Sequence, residues 1–148
     1  NRNQMMTNKT QDFIPAHLLA DKPPEPDFFD RKDTEKERPP LVFSKTLMQR
    51  IGVNPQHCFL VCLHGEAMKP TINGEAELLI DRSDVTLADG YIYALEIGTR
   101  ALVRRVKLYL RHIVLVCDNP EYDDMVVEGE DLQHLKVIGR VGYIGQQV

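Results

Sequence analysis

From Leu41 onward the sequence predicts a mostly-β domain of twisted, coiled sheets with one short helix. Three observations predict it. Six short runs dominated by Val, Ile, Leu and Tyr follow one another along the chain. Turn-forming pairs and triplets separate them, and a single stretch shows helical spacing of its apolar residues. Strands in series with hardly any helix build sheet layers around one core rather than alternating βαβ units.

Taken in order, residues 1–40 differ from the rest. They are polar up to Asp12, then punctuated by Pro15, Pro23, Pro24, Pro26, Pro39 and Pro40, and they close on the mixed charge run Asp30 to Arg38. Proline removes backbone donors and charge resists burial, so this segment reads as a linker or N-terminal arm. The apolar islands Phe13-Ile14 and Phe28-Phe29 are its expected points of contact with the domain. Residues 44–51 form the helix: Ser44 is its N-cap, Leu47, Met48 and Ile51 its apolar face, and Gly52 its stop. Strands are expected at His57–Leu63, Glu77–Asp81, Gly90–Ile97, Ala101–Leu110, His112–Cys117 and Leu135–Ile144. Asn73-Gly74, Ala88-Asp89-Gly90, Gly98-Thr99 and Asp118-Asn119-Pro120 supply turns between them. Asp123, Asp124, Glu128, Glu130 and Asp131 match no calcium-loop spacing and read as a solvated loop.

With 148 residues the chain is long enough for one domain and hardly two. Its net charge of −4 lacks the basic footprint of a duplex-DNA reader, so DNA contact is expected only from a separate upstream domain. The chain opens on Asn1 with no initiator methionine, which fits an upstream segment. Cys58, Cys62 and Cys117 lie in apolar runs without metal-ligand or secreted-domain spacing, which predicts buried, reduced thiols in a cytoplasmic protein with no metal and no cofactor. No apolar run is long enough to span a membrane, and the Asn8-Lys9-Thr10 sequon is a pattern only.

The order of the motifs is more specific. His64-Gly-Glu-Ala-Met-Lys-Pro-Thr-Ile72 resembles the G-D-S-M-x-P-T-I box of the LexA and phage-CI repressors and of the related polymerase accessory UmuD. Glu77-Leu-Leu-Ile-Asp-Arg82 and Asp89-Gly-Tyr-Ile-Tyr93 resemble the strand–turn–strand stretch that follows in that family. Ala101-Leu-Val-Arg-Arg-Val106 is similar to its L-V-K-R-L strand, Asp118-Asn-Pro-Glu-Tyr122 to its next loop, and Val137-Ile-Gly-Arg-Val141 to its terminal strand. Phe43-Ser-Lys and Gly52-Val-Asn-Pro55 resemble the lead-in of phage-type repressors. The resemblance covers residues 41–148 in unbroken order. It implies the fold of that serine–lysine autopeptidase family, which the signal peptidases share.

The resemblance also implies roles. The family's nucleophilic serine falls on Ala67 and its general-base lysine on Arg104, with Gly65, Glu66, Met68, Pro70 and Thr71 completing the box. In active members a serine hydroxyl attacks the chain's own linker while a lysine, kept neutral by burial, takes the proton. Backbone N–H groups hold the developing oxyanion. Ala67 offers a methyl group instead, and a guanidinium with a pKa above ~12 cannot act as a base. The family's Ala-Gly or Cys-Gly cleavage pair is absent from residues 1–66. Two origins of Ala67 stay open, an introduced serine-to-alanine change and natural loss; Arg104 and the missing cleavage pair favour natural loss. Arg104 is read as filling the old lysine pocket, bonded to Glu66 or a carbonyl, against the simpler alternative of a surface charge paired with Glu96 or Glu77.

The expectation is therefore a non-enzymatic C-terminal dimerisation and regulatory domain, residues 41–148, of a prophage-type transcriptional repressor of the SOS-responsive class. It would associate with itself as a dimer or higher oligomer and reach operator DNA through an upstream helix-turn-helix domain. An antirepressor protein would relieve it. The dimer contact is expected along the last strand, at Val137, Ile138, Gly139, Arg140, Val141 and Tyr143, by pairing of an exposed edge. The competing readings are a self-cleaving repressor domain carrying an inactivating Ala67, and an UmuD-like accessory protein.

Overall fold

In the computed structural model, the structure describes the backbone at residues 13–15, 29–30 and 42–147 and the side chains at 43–147. The strands are β1 (Phe13–Pro15), β2 (Phe29–Asp30), β3 (Val42–Ser44), β4 (Cys58–Leu63), β5 (Glu77–Asp81), β6 (Ile92–Ile97), β7 (Arg100–Leu108), β8 (His112–Val116), β9 (Met125–Glu128) and β10 (Leu135–Gly145). One α-helix, α1 (Lys45–Ile51), and two 3-10 turns, Pro55–His57 and Gly129–His134, complete the described elements. The fold is mostly β, as the sequence predicts.

The helix begins and ends on the chemistry expected of it. The Ser44 hydroxyl accepts the Leu47 N–H at 2.9 Å, and Gly52 closes the last turn at φ 73°, its N–H reaching the Met48 and Gln49 carbonyls. Met48 is buried, with Leu47 and Ile51 beside it, against Phe43, Val53, Cys58 and Leu79.

Eight strands form one antiparallel sheet in the order β2-β4-β5-β10-β6-β7-β8-β9, and β1 pairs with β3 separately. Thus two short pieces of the expected linker, Phe13–Pro15 and Phe29–Asp30, run as strands along β3 and β4. The remainder of residues 1–41, including Phe28, most of the charge run and the sequon, lies outside the described residues. Phe59, Met68, Ile72, Leu78, Ile80, Ala94, Val103 and Ile138 pack as one core, and Tyr93, Leu95, Val106, Leu115 and Val127 as a second. Fully burying side chains of this size stabilises each by about 1.5–3 kcal/mol.

Two differences from the sequence reading matter. Met125–Glu128, read as part of an acidic loop, is edge strand β9, where Val127 is buried and Val126 and Glu128 point outward. The alternation is there, but over too few residues to stand out from the surrounding acids. The second difference concerns where β10, the strand of the expected dimer contact, sits in the sheet. β10 joins the two parts of the sheet, pairing with β6 through residues 135–140 and with β5 through residues 140–145, so that Arg140 alone is paired on both sides among the described residues. Ile138 and Gly139 are buried, Val137 and Val141 pack against the two cores, and Arg140 is tied to Asp84; Tyr143, at 39%, is the most exposed of the six.

Bulges in β10 explain its uneven pattern. The register shifts between Val137 and Gly139 against β6, and between Val141 and Tyr143 against β5. Each shift carries neighbouring side chains to the other face, so that Leu135 and Val137 join one core while Ile138, Val141 and Ile144 join the other. Gly139 is required at the first bulge because a Cβ there would collide with the Asp81 carbonyl.

Candidate functional site

The loop after β4 carries the residues of the G-x-x-M-x-P-T box. Its chain leaves Leu63 through His64 and turns at Gly65, whose φ of 134° lies in the region that favours glycine. Met68 then enters the core at 2% exposure, Ile72 follows at 0%, and the Ile72 N–H donates to the Met68 carbonyl at 2.9 Å. These two anchors fix the loop from below. Ala67, half-buried between them and Gly65, is left facing a cleft of about 240 Å³.

Residues 63–68 line one side of that cleft and residues 101–104 of β7 the other, together with Tyr122. Ala67 and Arg104, assigned to one site from the motif register, therefore line one cavity. Gly65, Glu66 and Met68 line it too, whereas Pro70 and Thr71 do not. Arg104 Nη1 donates to the Val103 carbonyl at 2.8 Å rather than pairing with Glu96 or Glu77. Glu66 pairs with Lys69 at 2.8 Å, not with Arg104, and this contact raises the Lys69 pKa from its ordinary value.

A second layer holds the loop from outside. The Asp118 carboxylate accepts Arg105 Nε at 2.9 Å and Nη2 at 2.7 Å, and also accepts the Thr71 hydroxyl at 2.5 Å. Arg105 Nη1 reaches the Gly90 carbonyl at 2.7 Å. Asn119 is 8% exposed; its N–H donates to the Ala67 carbonyl at 3.0 Å and its side-chain amide to the Glu66 carbonyl at 2.9 Å. The guanidinium beside Asp118, with the Thr71 hydroxyl, holds that carboxyl below the usual carboxylate range despite its burial, and the same contact raises Arg105. Thr71 thus serves as an anchor of the box rather than as a wall of the cleft. The Asp118–Arg105 clamp is the part of the site that residue-by-residue reading missed. Its signal was the pairing parity of β7 with β8, which sets Arg105 opposite Val116, two residues before Asp118.

The remaining polar groups serve the frame. Tyr93, fully buried, accepts the Ala88 N–H at 2.9 Å and donates to the Thr86 carbonyl at 3.2 Å, and burial raises its pKa. The three thiols are free and buried, and burial, with Asp81 nearby, pushes Cys58 up to about 12. Among the described residues no group of three or more His, Cys, Asp or Glu side chains could hold a metal ion. No described helix is long and apolar enough to cross a membrane.

Relatives place this arrangement in a family. The chain is 34% identical over 107 residues to an uncharacterized HTH-type transcriptional regulator of Haemophilus influenzae, covering 72% of this chain and 45% of the relative. It is 30% identical over 107 residues to the repressor protein CI of Enterobacteria phage phi80, covering 68% and 43%. The 26 kDa repressor protein of Escherichia phage HK022 matches at 28% over 83 residues, covering 55% and 35%. The chain spans less than half the length of each of these relatives. Residues 26–142 match the Peptidase S24-like family, reaching back into the segment that contains β2, and the chain belongs to that family.

Proposed function

We propose that this chain is the C-terminal oligomerisation and regulatory domain, residues 41–148, of a prophage-type transcriptional repressor, and that it does not cleave itself. One observation carries the reading: Ala67 and Arg104 line the same cleft, so the two positions where the family keeps its nucleophile and base hold a methyl group and a permanent cation. Losing one reactive group leaves a trapped enzyme. Losing both, in a fold whose loop is still clamped by Asp118 and Asn119, leaves a scaffold retained for another purpose.

Similarity to phage repressors and an HTH-type regulator, each more than twice the length this chain covers, supports an upstream helix-turn-helix reader of operator half-sites. Self-association by this domain would make the second half-site contact effectively intramolecular. The expected contact along β10 has support in the sheet: Val141, Tyr143, Ile144 and Gly145 pair with β5 and with no other strand among the described residues, and Tyr143 is 39% exposed. Relief of repression then falls to an antirepressor protein in the bacterial cytoplasm.

Incubation of the chain at alkaline pH, with and without RecA, is expected to leave it intact, and Ala67→Ser alone is expected to leave it intact as well, because Arg104 supplies no base. Two fragments from the Ala67→Ser chain on a denaturing gel would overturn the non-cleaving reading. Analytical ultracentrifugation reads the oligomerisation claim, which a monomer at high micromolar concentration would sink.

A further inference from the structure

We infer that the degenerate cleft binds the carboxylate of an acidic, extended peptide supplied by a partner protein, with Arg104 as the anion's counter-ion. The inference rests on the non-cleaving reading of the same cleft and gives it a ligand chemistry.

Charge is the first reason. Around the cleft Glu66 is neutralised by Lys69, and Arg105 by Asp118. Arg104 has no carboxylate among the described residues; one of its five N–H donors goes to the carbonyl of the preceding residue, Val103. A half-buried guanidinium with most of its planar fork unused matches a carboxylate in shape and charge. The alanine methyl at position 67 crowds the opposite wall less than a hydroxymethyl group would.

Backbone geometry is the second reason. β7 pairs with β6 over Arg100–Arg105, but with β8 only from Arg105 to Leu108. On the β8 side, residues 100–104 have no strand partner among the described residues, and residues 101–104 of this stretch line the cleft. An open strand edge beside an apolar floor of Met68 and Val103 accepts an added extended segment through main-chain hydrogen bonds, while one side-chain pocket sets specificity. Here the pocket ends on a cation, which selects Asp or Glu over a neutral residue at that position.

The test titrates the full chain into a fluorescein-labelled heptapeptide, Ala-Val-Ala-Asp-Ala-Val-Ala, and its Asn counterpart, by fluorescence anisotropy. The Asp peptide is expected to bind about tenfold or more tightly than the Asn peptide. Arg104→Gln should abolish that preference, and Arg104→Lys should leave a reduced one, each with an unchanged thermal midpoint. Should Arg104→Gln fail to fold, the Arg104 Nε–H resonance of the unsubstituted chain gives the second reading, since a bound carboxylate shifts it and slows its exchange. Equal affinity for the two peptides, or no shift, overturns the inference. Binding that appears only after Glu25 and Asp27 are changed to Gln and Asn also overturns it, in favour of the chain's own acids as occupant. Fragments of the chain or peptide would instead overturn the non-cleaving reading, so the two failures are distinguishable.

Discussion

Asp118 is where the cleft's loop, the strand behind it and the following turn are joined by one side chain. It takes two donors from Arg105 and one from Thr71, and it is 12% exposed. Asp118→Asn breaks a bidentate ion pair and leaves the Arg105 guanidinium facing a neutral amide, so the expected loss is about 2–3 kcal/mol in urea denaturation. The pH dependence has a definite sign. The folded carboxyl titrates below its unfolded value of about 3.9, so its contribution is complete above that value and fades as pH falls through the lowered folded pKa. The stability gap between the two chains should therefore close in strong acid, and a gap that held constant to pH 2 would count against the clamp. At this scale the motif register assigned Ala67 and Arg104 to one site, and the two residues line one cleft; the order of motifs along a chain can be aligned without any distances. The Asp118–Arg105 and Asn119–Glu66 contacts were not legible, since a contact between distant loops depends on sheet register that no local pattern states.

At the scale of elements, ends were easier to read than edges. Ser44 and Gly52 marked α1 because capping is local chemistry within a few residues. Glu77–Asp81 was read with both ends right, and the other predicted strands to within a few residues. β9 was missed because its alternation covers only four residues, and the place of β10 between β5 and β6 was not legible because strand order is a property of the whole sheet. The bulges of β10 are similarly invisible in sequence except as glycines with no turn to explain them. Gly139→Ala puts a methyl group into the Asp81 carbonyl, and backbone on backbone has little freedom to yield. The expected cost is at least about 2 kcal/mol, measured as a lowered urea midpoint. A neutral result would mean that the β5–β10 pairing slides more easily than its register implies.

For the whole molecule, fold class and family were within reach of the sequence, and the place of β10 in the sheet was not. A run of apolar residues says that a strand is covered, but not whether by its own sheet or by another subunit. In strand order β10 joins β2-β4-β5 to β6-β7-β8-β9, pairing with β6 through residues 135–140 and with β5 through residues 140–145, and its side chains enter both cores. A chain stopped after residue 134 loses the shared partner of β5 and β6. It is expected to be degraded by trypsin under conditions where the full chain resists. Survival of a compact fragment from the truncated chain would show that one half of the sheet stands without β10.

The position of β10 has a further meaning for synthesis. Translation delivers the strand that joins the two parts of the described sheet after both of them, so each part has an unsatisfied edge until residues 135–145 have left the ribosome. A domain ordered in this way is expected to have no half-finished folded form. Any partner that recognises its surface meets either a nascent polypeptide or the completed protein, and premature stop codons up to residue 134 should behave alike as null alleles.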